Sequence, residues 1–99
     1  VECGATWKEL HDALAPHGLR TPYWGPLSGL RSTVGGALSQ ASIFLGSGRY
    51  GPVAESLLGL DVVLADGRVL ALGAHANGRG EPFFRQFGPD LTGLFAGDC

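Results

Sequence analysis

Two short stretches hold residue types and spacings that could do chemistry. "LGSGRYG", Leu45 to Gly51, sets Gly46, Gly48 and Gly51 in the pattern G-x-G-x-x-G, with Asp66 about twenty positions further on. "STVGGALSQAS", Ser32 to Ser42, opens with two hydroxyl residues able to cap a helical turn and continues through the pair Gly35-Gly36 into small residues. Glycines there remove side chains where something must approach the backbone, and the N–H groups of such a turn suit an anion or a carbonyl-rich ring. The competing structural reading of the second stretch is a Gly-Gly turn packed beneath a neighbouring element.

The first pattern fails a physical test. A dinucleotide fingerprint needs a strand, the glycine turn, a substantial helix and a second strand ending in the acid that holds the ribose. Pro52 follows the last glycine, and only Pro52 to Leu57 precede the next apolar strand-like run. A parallel crossover takes about a dozen residues or more. Asp66 also has a local role, as the first residue of an Asp-Gly turn. The glycine spacing is therefore read as coincidence.

The elements that must position these residues are legible in part. Thr6 with Glu9 forms the capping-box pattern before a helix in which Trp7, Leu10 and Leu14 share one stripe while Lys8, Glu9 and Asp12 face water. Pro16 and Gly18 close that helix. Leu19 to Ser32 is a shaped loop with turn signals at Pro22, Gly25-Pro26 and Gly29. Ser32 or Thr33 caps a short helical turn. Leu58 to Ala65 and Arg68 to Leu72 flank Asp66-Gly67, the pattern of a hairpin with a two-residue type I′ connection. Leu60, Val62 and Val63 make the first strand apolar on both faces, which predicts a sheet covered on both sides. Near the end, Pro89 or Asp90 starts a short helix with Leu91, Leu94 and Phe95 on its inner face.

Composition bounds the reading. The 99 residues carry 44% hydrophobic and 16% charged side chains, Lys and Arg number 7, and the formal net charge is -2. Scattered bases on a net-acidic chain argue against a nucleic-acid partner, which requires clustered cations to displace counterions. No run approaches the ~18 apolar residues of a membrane span. Cys3 and Cys99 stand at opposite ends with neither C-x-x-C nor a histidine spacing for metal, so free thiols, a reducing compartment and a cytoplasmic location are expected, with no metal. With no methionine at its start and no polar tail, the chain reads as one fragment, residues 1 to 99, of something larger. Apolar faces meant for missing segments would then favour self-association.

The order of the blocks "VECGATWKEL", "STVGGALSQAS", "GRYG", "LGLDVVLADGRVL" and "DLTGLFAGDC" resembles the FAD-binding domain of the vanillyl-alcohol oxidase and p-cresol methylhydroxylase family, whose members include FAD-linked D-lactate and glycolate dehydrogenases. The resemblance implies an α+β fold, a mixed or antiparallel sheet with short flanking helices, and specifically most of the second of two subdomains that hold FAD between them. The first subdomain and the substrate cap would be absent. By the same resemblance Ser28, Gly29, Ser32 and Thr33 would contact the cofactor, Gly35 and Gly36 would permit its close approach, and Gln40, Ala41, Ser42 and Ile43 would form the next contacting stretch. Gly97, Asp98 and Cys99 match the start of a later cofactor loop. Cys3 stands where proline is usual, Ala37 where asparagine is common, and Asp98-Cys99 where Ser-Glu is common; none of these removes a backbone donor.

The function so implied is the FAD-binding portion of an oxidoreductase acting on a small hydroxy acid or alcohol, inactive as an isolated fragment. Its physical basis is the expectation that the amides around Thr33 to Gly36 stand free for a flat, anionic group. No side chain is a convincing acid or base: His11, His17 and His75 read as surface or structural, and Arg49 and Tyr50 could reach substrate or cofactor. The reading from a different class is a small α+β protein-interaction module with no cofactor, distinguished by a colourless parent protein.

Overall fold

The computed structural model describes residues 1–24, 29–77 and 89–97. Gly25, Pro26, Ser28, Asp98 and Cys99, named above, lie outside the described residues.

The capping signal at Thr6 is realised in full. Helix α1 spans Trp7–Leu14; the Thr6 hydroxyl accepts from the Glu9 amide at 3.2 Å, and Glu9 Oε2 accepts from the Thr6 amide at 2.8 Å. A 3-10 turn, Ala15–His17, follows, and Gly18 ends it in the left-handed conformation at φ 68. Trp7 is buried, and Leu10 and Leu14 are half-buried along the same stripe. Lys8 pairs with Asp12 at 2.6 Å on the wet face, a contact of about 0.3–0.5 kcal/mol at that exposure.

Helix α2 is Val34–Ser39, capped by Thr33 rather than Ser32. Helix α3 is a single turn, Ser47–Tyr50, and a 3-10 turn, Val53–Ser56, leads into the hairpin. Trp7, Tyr23, Val34, Ala37, Leu38 and Val53 form the core, with Leu10, Trp24, Phe44 and Leu57 packed against it. Trp7 organises it: Phe44 and Tyr23 meet the indole edge-to-face at 5.5 Å and 6.4 Å between centroids, contacts worth about 0.5–1.5 kcal/mol each beyond their buried area. The Tyr23 hydroxyl is 2.9 Å from Ser56 Oγ and donates to the Tyr50 or Pro52 carbonyl, at 3.2 and 3.3 Å. One phenol thus ties the first loop to the end of α3 and the turn after it.

Strands β1 (Gly59–Val63) and β2 (Val69–Gly73) pair antiparallel, with Leu60 opposite Leu72 and Val63 opposite Val69. The α+β class is as expected, and the described sheet has two strands. Antiparallel pairing also removes the parallel crossover that a dinucleotide fingerprint requires.

Three local expectations are corrected. The hairpin loop has three residues, Ala65-Asp66-Gly67, because the Leu64 amide donates to the Arg68 carbonyl at 2.8 Å. Among these, Gly67 alone takes positive φ, at 85, whereas type I′ requires it at both central residues; a turn closed by one left-handed glycine is the three-residue solution. Asp66 instead accepts from the Arg68 amide at 3.1 Å and pairs with its Nε at 2.7 Å. Secondly, β1 is not covered on both faces by the described residues: Val63 and Val69 are 72% and 67% exposed, while Leu60, Val62 and Leu72 face inward. Thirdly, the late helix is a 3-10 turn, Thr92–Leu94, which buries Thr92 and leaves Leu91 and Leu94 exposed, with only Phe95 half-buried. A one-turn helix has too few residues to keep three apolar side chains on one face.

Candidate cofactor site

The described candidate residues fall into one neighbourhood around α2. Two lead-in segments cross there and cap each other's helices. The Trp7 and Lys8 amides at the start of α1 donate to the Ser32 and Gly29 carbonyls at 3.2 and 3.1 Å. In return the Val34 and Gly35 amides at the start of α2 donate to the Ala5 and Cys3 carbonyls, both at 2.9 Å. The Gly36 amide goes to Thr33 Oγ1 at 3.1 Å and the Ala37 amide to the Thr33 carbonyl at 3.1 Å. A Thr6–Thr33 bridge locks the crossing. Every amide from Val34 to Ala37 therefore has an internal partner, which overturns the expectation that they stand free for an anion. A helix start has a fixed set of orphan donors, and here neighbouring carbonyls and the cap hydroxyl consume them.

The glycine pair divides by role. A Cβ at Gly35 would come within 2.7 Å of Cys3 Cβ and 3.0 Å of its carbonyl oxygen, so what approaches this backbone is the segment at Cys3. A Cβ at Gly36 would meet only Thr33 Oγ1, at 3.0 Å, and Gly36 faces solvent. Gly36 therefore keeps an open flank where another molecule could lie.

Beyond α2 the chain makes a Schellman turn. The Ser42 amide donates to the Ala37 carbonyl at 2.9 Å and the Ala41 amide to the Leu38 carbonyl at 3.2 Å, which puts Ala41 at the position usually held by glycine. Its φ of 47 is the single positive value at a non-glycine residue among those described. Gly97 docks on this turn: its amide donates to the Leu38 carbonyl at 2.8 Å, and a Cβ there would come 2.9 Å from Ala41 Cβ. The late segment is thereby brought against Gln40, Ala41 and Ser42, a convergence that sequence spacing did not reveal. Gln40 and Ile43 are exposed, and Ser42 is half-buried. Alanine is a poor marker for a left-handed residue, so no sequence signal pointed to this turn.

Among the described residues, two buried side-chain polar atoms, Ser32 Oγ and Trp7 Nε1, have no hydrogen-bond partner. An orphaned buried hydroxyl costs about 1–3 kcal/mol, and at Ser32 it marks a donor available to a bound group. With the open flank of Gly36 and the exposed amide side chain of Gln40, this arrangement fits one wall of a cofactor site. It is not an anion cradle. Among the described residues no cluster of His, Cys, Asp or Glu is arranged to hold a metal, and no helix is long and apolar enough to cross a membrane. Cys3 is a free, exposed thiol. His75 pairs with Asp61 at 3.1 Å, half-exposed beside the hairpin.

A family model described as "FAD binding domain" matches residues 1–73, and the chain belongs to that family. The family's cofactor is FAD. Among curated proteins the chain is 36% identical over 99 residues to a probable mitochondrial D-lactate dehydrogenase of Danio rerio and 29% identical over 97 residues to the mitochondrial D-lactate dehydrogenase [cytochrome] 1 of Saccharomyces cerevisiae; each match covers 98% of this chain, and 18% and 15% of the relative. It is also 39% identical over 74 residues to a D-lactate dehydrogenase of Archaeoglobus fulgidus, covering 72% of this chain and 16% of that protein. The chain thus spans less than a fifth of these relatives' length, and it is related to the FAD-binding portion of FAD-linked oxidoreductases. The yeast and zebrafish relatives are named as mitochondrial, which overturns the expectation of a cytoplasmic protein. Compartment is set by targeting segments, so the cysteines were no guide to it.

Proposed function

We propose that this chain forms one wall of the FAD site in a flavin-dependent dehydrogenase that oxidises a small 2-hydroxy acid, D-lactate or glycolate, or a related alcohol. The observation that carries the reading is the family match over residues 1–73 together with three relatives named D-lactate dehydrogenase. In this reading the chain is most of the second subdomain of a two-part FAD-binding domain, and the first subdomain and substrate cap complete the enzyme. The exposed Val63, Val69 and Leu94 belong to faces that such neighbours would cover. The 99 residues alone would turn over nothing.

Bound FAD would accept the hydride equivalent from the substrate carbon. The contribution of these residues is to bind and orient. Ser32 Oγ donates into the cofactor site, Gly36 lets a flat group lie against α2 without a Cβ between them, and the stretch from Gln40 to Ile43, with Gly97 docked on it, sets the position of the next contacts. Gly29 and Thr33 act behind this wall, through the Gly29 carbonyl on α1 and the Thr33 cap on α2. Ser28 and Asp98 complete the proposed contact set.

The test is made on the full-length protein. Flavin absorbance in the purified enzyme, dye reduction with D-lactate or glycolate, and a Ser32→Ala variant that binds FAD about tenfold more weakly while its apoprotein is no less stable to heat are expected. A colourless protein that FAD cannot reconstitute would instead favour the interaction-module reading.

A further inference from the structure

A cleft of about 350 Å³ has Arg20, Tyr23, Trp24, Gly46, Arg49 and Tyr50 in its lining. Its walls are the chain around Pro22 to Trp24 and the start of α3, held together by a reciprocal bridge in which the Trp24 and Leu45 amides each donate to the other's carbonyl at 3.1 Å. Gly46 lets them meet so closely: its φ is 104, and a Cβ there would overlap the Pro22 carbonyl. The floor is therefore fixed by backbone. No carboxylate of the described residues lines the cleft. Among the described residues neither Arg20 nor Arg49 pairs with an acidic side chain, although the other described ion pairs use Lys8, Arg68 and His75. Two permanently charged arginines line one concave surface on a chain whose net charge is -2. The Arg49 guanidinium lies 5.4 Å from the centroid of the Tyr50 ring, which restricts its orientation while leaving its N–H fork available. Trp24 adds a second, half-buried aromatic surface.

From this geometry we infer that the cleft is a binding site for a small anion, one carrying a carboxylate or phosphate on a flat apolar body, separate from the FAD wall around α2. Arg20 and Arg49 take the charged group, for which planar forks are suited to bidentate contact, and Trp24 and Tyr50 flank the body. The volume is at the small end for ligand sites, which excludes a whole dinucleotide. The inference does not depend on the substrate proposed above.

Isothermal titration of the full-length protein, in the presence of saturating FAD, with benzoate and with phenyl phosphate tests it. Saturable binding of at least one probe is expected, with Arg20→Gln and Arg49→Gln each weakening it about tenfold and Arg68→Gln, whose partner Asp66 sits at the hairpin tip, leaving it unchanged. The probe that binds more tightly identifies carboxylate or phosphate as the natural group. Absence of saturation up to about 10 mM, equal binding by the two cleft variants and wild type, or binding that FAD abolishes would overturn the inference. Thermal melts of each variant show that lost binding is not lost folding.

Discussion

Replacing Gly35 by alanine separates the two uses of the glycine pair. The added Cβ would stand 2.7 Å from Cys3 Cβ and 3.0 Å from the Cys3 carbonyl oxygen that accepts the Gly35 amide at 2.9 Å. Relieving that overlap moves either the segment at Cys3 or the start of α2, and overpacking of this kind costs about 1–3 kcal/mol. Stretching the Gly35–Cys3 hydrogen bond adds about 0.5–1.5 kcal/mol. Alanine's better helix propensity returns at most about 1 kcal/mol. Gly35→Ala should therefore destabilise by about 1–3 kcal/mol in net. Gly36→Ala meets only the edge of the Thr33 hydroxyl at an exposed position and should stay within about 1 kcal/mol of wild type. Urea unfolding of the full-length protein, read as midpoint shifts at constant slope, measures both. Cys3→Gly in the Gly35→Ala background removes the nearest contact, the one to Cys3 Cβ, and should recover part of the loss. If Gly35→Ala proves as stable as Gly36→Ala, the reciprocal capping of α1 and α2 does not hold this site together.

Two further predictions test neighbouring features. Hydrogen bonds from the Thr6 amide and, after it, the Thr6 hydroxyl hold the exposed Glu9 carboxyl below its ordinary value of 4.5. A depressed carboxyl stabilises the fold above its unfolded pKa, and that contribution fades as pH falls through the lower folded value. Thr6→Ala removes the hydroxyl and keeps the amide, so NMR titration should show Glu9 moving part of the way back towards the ordinary value, with a shallower acid dependence of stability. The lost cap itself should cost about 1 kcal/mol near neutral pH. Ala41→Gly relieves a left-handed alanine and should raise stability by about 0.5–1 kcal/mol in thermal melts; a loss would mean that the Ala41 methyl group is needed where Gly97 docks.

Local chemistry was readable from the residues themselves. Thr6 and Glu9 lie three apart and cap α1 with atoms they carry, Gly18 ends the following turn because glycine takes that φ without steric cost, and the short reach from Pro52 to Leu57 was enough to reject a dinucleotide fold. The order of motif blocks also placed the chain in its FAD-binding family. Tertiary structure decided where the α2 amides point. The partners of the Val34 and Gly35 amides, the carbonyls of Ala5 and Cys3, are about thirty residues away and become visible only once the chain has crossed itself. It likewise placed Gly97 on Ala41 and brought Arg20 and Arg49 to one cleft. A hydrogen bond within one turn is encoded by spacing; one between distant segments depends on how the core seats Trp7, and no pattern in the intervening residues records that.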